Sequence, residues 1–198
     1  MPSNIPYSRL TGVLKVYVAP YPEAVDTLDG AMAANWTELG PTDGTQTLKF
    51  VGGMEYFYDN DNLGPVKAIR PVAGFEVTAT LVNLLPEEIA MALGEAPADV
   101  VDDDAGGVSI RRLPLLRDFA PVEYAMTLRG GAQPITNVDS PFGVFPAQYF
   151  IPRGVFDGEP EFVRSKDGSP GLEFTFVALH DPTLAAALQL GYFQAQDV

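Results

Sequence analysis

With 198 residues, 46% of them apolar and 19% charged, the chain can bury one core as a single domain (1–198) and is too apolar for a disordered segment. A formal charge of −14 excludes a surface built to grip DNA, because duplex affinity rests on Lys and Arg releasing phosphate counterions. The absence of cysteine excludes disulfides, thiolate metal ligands and a Cys-His dyad, and the single histidine excludes a two-histidine metal site.

The 19 glycines and 18 prolines are dispersed among Phe, Tyr, Val and Thr, which predicts many short strands joined by turns. Met1 to Thr11 has little periodicity and two prolines and reads as an N-terminal arm (1–11). Gly12 to Ala19 alternates Leu14, Val16 and Val18 with Lys15 and Tyr17, a predicted strand ended by Pro20. Asp29 to Ala34 is a candidate short helix weakened by Gly30. Strands follow at Trp36 to Gly40 and Thr45 to Val51, around a Pro41-Thr42-Asp43-Gly44 turn, and at Met54 to Asp59. One alternating run from Val66 to Val82 passes Pro71 and Gly74 and sets Phe75, Val77, Ala79 and Leu81 opposite Glu76, Thr78 and Thr80. A proline inside such a run implies an edge or a bulge.

Leu85, Ile89 and Leu93 then recur at helical spacing, with Pro86 at the start, Glu87 and Glu88 in the first turn and Gly94 as the stop. Ala96 to Gly107, carrying Asp99, Asp102, Asp103 and Asp104, is expected to be an acidic loop (96–107), the segment most open to motion. Strands are predicted at Val108 to Leu113 and Val122 to Arg129, the latter with Val122, Tyr124, Met126 and Leu128 facing one way. Gly143 to Ile151, aromatic and crossed by Pro146, is expected to be an edge-type or irregular strand, and Pro160 to Ser165 to pair with Leu172 to Leu179 through an Asp167 to Gly171 turn. A second helix is expected from Asp181 as N-cap and Pro182, with Leu184 and Leu188 on its buried side, before a C-terminal tail from Tyr192.

One pattern is written twice. Phe75-Glu76-Val77-Thr78-Ala79 leads to Pro86 and Gly94, and Leu172-Glu173-Phe174-Thr175-Phe176 leads to Pro182 and Gly191. Glu76, Thr78, Glu173 and Thr175 are accordingly expected on exposed sheet faces, opposite apolar ones, and each Pro-to-Gly helix over a sheet edge or end. No run approaches the roughly 18 apolar residues of a membrane span, and Met1 to Leu10 lacks the charged start and apolar stretch of a signal peptide. A soluble protein made in the cytoplasm is the expectation.

Chemistry-bearing groups are few. His180 stands beside Asp181, but neighbouring strand residues point to opposite faces and cannot form a relay, so a strand-end or capping role is expected. Asp59-Asn60-Asp61-Asn62-Leu63-Gly64 imitates the opening of a calcium loop, yet Leu63 takes the fifth place and Arg70 the twelfth, where ligands are needed. Asp102 to Asp104 reads as a solvated charge run, Glu87 and Glu88 as first-turn helix residues, and Glu159 and Glu161 as one strand's neighbours rather than a glycosidase pair. No catalytic, cofactor-binding or metal residue is assigned, and no enzyme is expected. The prolines Pro71, Pro146 and Pro152 inside aromatic extended segments mark strands unpaired on one side, and exposed apolar edges invite self-assembly.

In its order of elements the sequence resembles the tail tube (major tail) proteins of long-tailed, non-contractile bacteriophages. The resemblance rests on Trp36-Thr37-Glu38-Leu39-Gly40, the Phe-Glu-Val-Thr core within Pro71 to Val82, and Leu84-Leu85-Pro86-Glu87-Glu88-Ile89-Ala90-Met91-Ala92-Leu93-Gly94. Gly171 to Leu179 followed by Asp181-Pro182 completes it, and it spans roughly Leu14 to Gly191. It implies a mainly β subunit, sandwich or barrel-like, with one or two short α-helices, whose strands join those of its copies in a ring-shaped inner β-barrel. Six copies would form a ring and stacked rings a hollow tube, with long loops and the N-terminal arm tying rings together. It further implies a virion tail location, assembly in the host cytoplasm, and tape measure, tail terminator and distal tail proteins as partners. DNA would pass through the lumen without specific binding, and no membrane or cofactor would be involved. Ala96 to Leu115 and Pro141 to Pro160 match no element of that family. Two other readings stand beside it: the inner tube of a contractile tail, injector or gene-transfer particle, and a carbohydrate- or ligand-binding β-sandwich using exposed aromatics such as Trp36, Tyr56 and Tyr149.

Overall fold

In the computed structural model the described residues are 7–24, 28, 32–58, 65–69, 73–82, 85–105, 108–115, 120–134, 145–157, 160, 162–163 and 171–195. Along the chain the first elements are β1 (Tyr7–Pro20), β2 (Thr37–Leu39), β3 (Thr42–Val51), β4 (Glu55–Tyr58), β5 (Pro65–Ile69), β6 (Gly74–Leu81) and helix α1 (Pro86–Ala92). A 3-10 turn (Pro97–Asp99) precedes β7 (Val101–Ala105), β8 (Val108–Arg112), β9 (Glu123–Pro134), β10 (Phe145–Asp157), β11 (Phe162–Val163), β12 (Gly171–Ala178) and β13 (Tyr192–Ala195). The fold is mainly β, with one α-helix among the described residues.

The two copies of the repeated strand pattern are hydrogen-bonded neighbours. β6 and β12 run antiparallel with Thr78 opposite Thr175 and Ala79 opposite Phe174. Phe75, Val77, Ala79 and Leu81 are buried together with Leu172, Phe174, Phe176 and Ala178, while Glu173 is exposed and Glu76, Thr78 and Thr175 are partly exposed. That is the expected separation of faces. From this pair the main sheet extends in the order β2-β1-β9-β10-β12-β6-β3, with β11 on β12 and β13 on β10. The sheet is open, but it curls: Gln46 of β3 donates from Nε2 to the Leu14 carbonyl of β1 at 2.6 Å, across its two ends.

One apolar cluster fills the curl, including Val16 and Val18 of β1, Tyr124, Met126 and Leu128 of β9, and Phe156 stacked edge-on against Phe174 and Phe176. The other face of β9 is covered too, where Ala125 meets Ala19, Trp36 and Phe150. β10 is therefore no edge strand, contrary to the expectation drawn from its prolines: β9 flanks it on one side, and β13 and then β12 on the other. Pro152 is tolerated because it sits in a bulge between Ile151 and Gly154. The extra residue resets the period of two, so Ile151 and Phe156, five apart, both point into the core.

Other expectations change as well. Residues 7–11, read as part of an arm, extend β1 against β9, with an irregularity between Thr11 and Lys15. The run from Val66 to Val82 divides between two sheets, β5 pairing with β4 alone and β6 joining the main sheet. The acidic stretch 96–107 is no plain loop: it holds the 3-10 turn and β7, which pairs with β8 so that Asp102 faces Arg111. The C-terminal tail contributes β13. Residues 32–36 hold a turn closed by the Trp36 N–H on the Ala33 carbonyl and no helix, and residues 29–31 lie outside the described ones.

Helix α1 forms as read. Leu85 has no side-chain acceptor to cap it, but the buried Glu88 carboxylate accepts from the Leu85 N–H at 3.2 Å and from the Gly40 N–H at 3.1 Å, joining the helix start to the turn after β2. At the other end Gly94, φ +82°, lets the Gly94 and Glu95 amides reach back to the Met91 and Ala90 carbonyls, a Schellman closure. The second Pro-to-Gly segment forms no helix. Asp181 caps locally, accepting from the Thr183 amide and hydroxyl, and the chain continues in three-residue turns from Asp181 to Leu184 and Ala185 to Leu188. Leu188 is exposed and Leu184 only half-buried, so no apolar stripe compensates helix nucleation there.

Replacing Glu88 with Ala should strand two amides in a buried place and cost about 2–4 kcal/mol, measured as a lower urea midpoint with unchanged slope; a loss within experimental error would show that water satisfies both.

Candidate assembly interface

The groups that carry chemistry do not converge. His180 is exposed, its carbonyl accepting from Arg153 at 3.4 Å, and the Asp181 carboxylate turns to Thr183. Glu87 pairs with Arg111, which also reaches Asp102, so the acidic strand β7 and helix α1 share one guanidinium. Among the described residues no three His, Cys, Asp or Glu side chains cluster as metal ligands. Asp59 to Gly64, Glu159 and Glu161 lie outside the described residues, as do the side chains of Asp103 and Asp104.

Apolar exposure is concentrated instead. Among the described residues β4 and β5 pair only with each other, in antiparallel register from Glu55 opposite Ile69, and every residue of both is exposed. They follow β3 through Gly52 and Gly53. Tyr58 is 69% exposed and Phe50, at the end of β3, 81%. At roughly 200 Å² per large side chain, Phe50, Met54, Tyr56, Phe57, Tyr58, Val66 and Ile69 together expose on the order of 800 Å². A typical monomer's largest apolar patch is about 300–600 Å².

Beside the root of this hairpin lies a groove of about 380 Å³. It exists because β12 stops at Ala178, opposite Gly154, and the rest of that flank of β10 is taken by β13, leaving a gap between β13 and the start of β6. Four aromatic rings line it in series: Phe50 to Phe75 at 4.9 Å, Phe75 to Tyr149 at 6.4 Å, Tyr149 to Phe193 at 4.9 Å. Phe75 is buried at the core end of the series, and Phe193 is 46% exposed. Gly191, φ +133°, turns the chain into β13 so close to β10 that a Cβ would lie 2.5 Å from the Phe150 carbonyl oxygen.

A polar clamp sets the position of β13. Arg153, in the β10 bulge, makes two bonds to Glu123, 2.8 Å from Nε and 2.7 Å from Nη2, and its guanidinium lies 5.3 Å from the Tyr21 ring centroid. Its carbonyl accepts from Leu179, and the Asp181 amide donates to Gln189, closing the loop that delivers Gly191. The bond from Arg153 holds the Glu123 carboxyl below its ordinary range, and the Thr183 hydroxyl does the same for Asp181.

The sequence pointed to Tyr56 and Tyr149 but missed Phe50 and Phe193. Their signal was local: an apolar pair directly before Gly52-Gly53, and an aromatic pair directly after Gly191. Trp36, read as an exposed aromatic, is 7% exposed and packs edge-on against Phe150 at 6.2 Å. No protein-family model and no curated protein matches the chain.

Glu123 and Asp181 both titrate lower folded than unfolded, so each adds stability that is fully present above its unfolded pKa and lost as pH falls through the folded value. Glu123→Gln should therefore flatten the decline in unfolding free energy between about pH 5 and pH 3, followed by urea titration at each pH; an unaltered decline would remove the clamp from the acid response.

Proposed function

We propose that this chain is a structural subunit of a virion tail, assembling as hexameric rings stacked into a tube that conducts DNA from the capsid into the host cell. The observation that carries the reading is the β4–β5 hairpin, in which every residue of the two strands is exposed and most are apolar. A segment of that kind, outside its own subunit's core, is stable in water chiefly as part of an interface. The ordered resemblance of Trp36 to Gly40, Phe75 to Gly94 and Gly171 to Pro182 to tail tube proteins supplies the kind of interface. Rings and stacks need two different complementary surfaces on each copy, and a hairpin and a groove are such a pair.

In this reading the curled sheet is a barrel-like subunit that lends strands to the inner wall of the ring. The formal charge of −14 then has a use. A lumen that attracted phosphate would hold a passing duplex, since a few contacts per subunit multiply along a tube, whereas an acidic wall repels it over roughly 8 Å at physiological salt.

A second reading, a carbohydrate- or ligand-binding module, is favoured by the aromatic groove, in which the partly buried Tyr149 and the exposed Phe193 pair at 4.9 Å. Saturable glycan binding that disappears in Tyr149→Ala, by a chain that stays monomeric, would select it.

Electron microscopy of the purified chain should show rings with a central channel and, at higher concentration, tubes; compact monomers throughout would overturn the proposal. Association between copies this acidic through apolar surfaces should also strengthen as salt rises from about 0.05 to 0.5 M. Sedimentation velocity reads this directly, and dissociation on adding salt would mean that ion pairs hold the copies together.

A further inference from the structure

We propose that the β4–β5 hairpin of one copy seats its aromatic side chains in the Phe50, Phe75, Tyr149 and Phe193 groove of the next copy, an inference that rests on the self-assembly reading and names its contact. Area is the first argument. With Phe50 left to the groove, the hairpin and Met54 expose on the order of 600 Å² of apolar surface, the lower end of the roughly 600–1,000 Å² that one partner contributes to a standard interface.

Charge is the second. In a chain of formal charge −14, most patches of two copies repel each other. β4 and β5 carry one Glu, Glu55, and one Lys, Lys67, the segment 59–64 between them adds only Asp59 and Asp61, and no charged residue lines the groove among the described residues. An uncharged groove receives the hairpin with less repulsion than the acidic surface around it.

Backbone geometry is the third. Among the described residues β13 pairs only with β10, which leaves its far edge without a strand, and β4 and β5 each have one unpaired edge. An incoming strand can extend β13 across the gap toward β6 and place alternate side chains onto the aromatic floor. Hairpin and groove are different surfaces of one chain, so the contact is heterologous and propagates to a further copy.

The absence of cysteine makes the test direct. Tyr56→Cys and Phe193→Cys, both at exposed positions, are prepared separately, one carrying a size tag, then mixed and gently oxidised. About tenfold more mixed than self-linked disulfide is expected, as the high effective concentration of two docked thiols requires. If Phe193→Cys loses its circular dichroism signature, Ala73→Cys, at an exposed position of the same groove, replaces it. Predominant Tyr56→Cys self-linkage would overturn the proposal in favour of hairpin-to-hairpin pairing. Rings or tubes without mixed product would overturn it and leave the tube reading standing. Mixed product from a chain that forms neither would support the contact and remove the tube reading.

Discussion

The register of β6 on β12, with Thr78 across from Thr175, is the constraint on which the other pairings depend. β3 is held by β6, and β11 and the second half of β10 by β12, so these strands inherit the alignment of the central pair. Each strand alternates faces with a period of two. A slip of one residue would invert the strand that moves, turning either Val77 and Ala79 or Phe174 and Phe176 toward water and carrying Glu76 or Glu173 into the core. Burial of those side chains, worth about 1.5–3 kcal/mol for each large one, makes the slip prohibitive. The shared Glu and Thr positions of the two copies are the outward half of the same requirement.

The groove arises from a second constraint, the bulge at Pro152. A proline cannot donate to the ladder, and the bend it occupies divides β10 into a half partnered by β12 and a half partnered by β13. Neither partner spans the bend, so the main sheet has a local gap, and the aromatic residues at the end of the core line it. Arg153, next in the bulge, links the same bend to Glu123 and to the loop entering β13. The irregularity thus both opens the groove and fixes one of its walls.

Much of the framework was legible in the sequence, because strand alternation and helix punctuation are local signals. Phe75 to Leu81, Leu172 to Ala178 and Pro86 to Gly94 fall where their spacing and end residues put them. What could not be read depended on partners distant in sequence. Pro146 and Pro152 argued for an edge strand, yet tertiary pairing gives β10 neighbours on both sides through the bulge. Asp181-Pro182 looked like a helix start, but its carboxylate is satisfied within two residues and its leucines find no buried face. The same holds for the interface: a Tyr or Phe in an alternating strand looks alike whether its face meets a core, as Trp36 does, or water, as Tyr58 does.

The hairpin's isolation from the main sheet bears on how strongly any single docking event can hold. β4 follows β3 through Gly52 and Gly53, with open space around the Gly53 Cβ position, so in the proposed assembly part of the contact energy would go into fixing the hairpin's direction. Lone contacts would then be weaker than their area suggests, and a copy added in the wrong orientation would leave again. In a ring of the proposed kind, where every copy is engaged twice, each further contact would be made at high effective concentration. The same two glycines would thus favour reversible pairs and durable rings together, and act as a proofreading element.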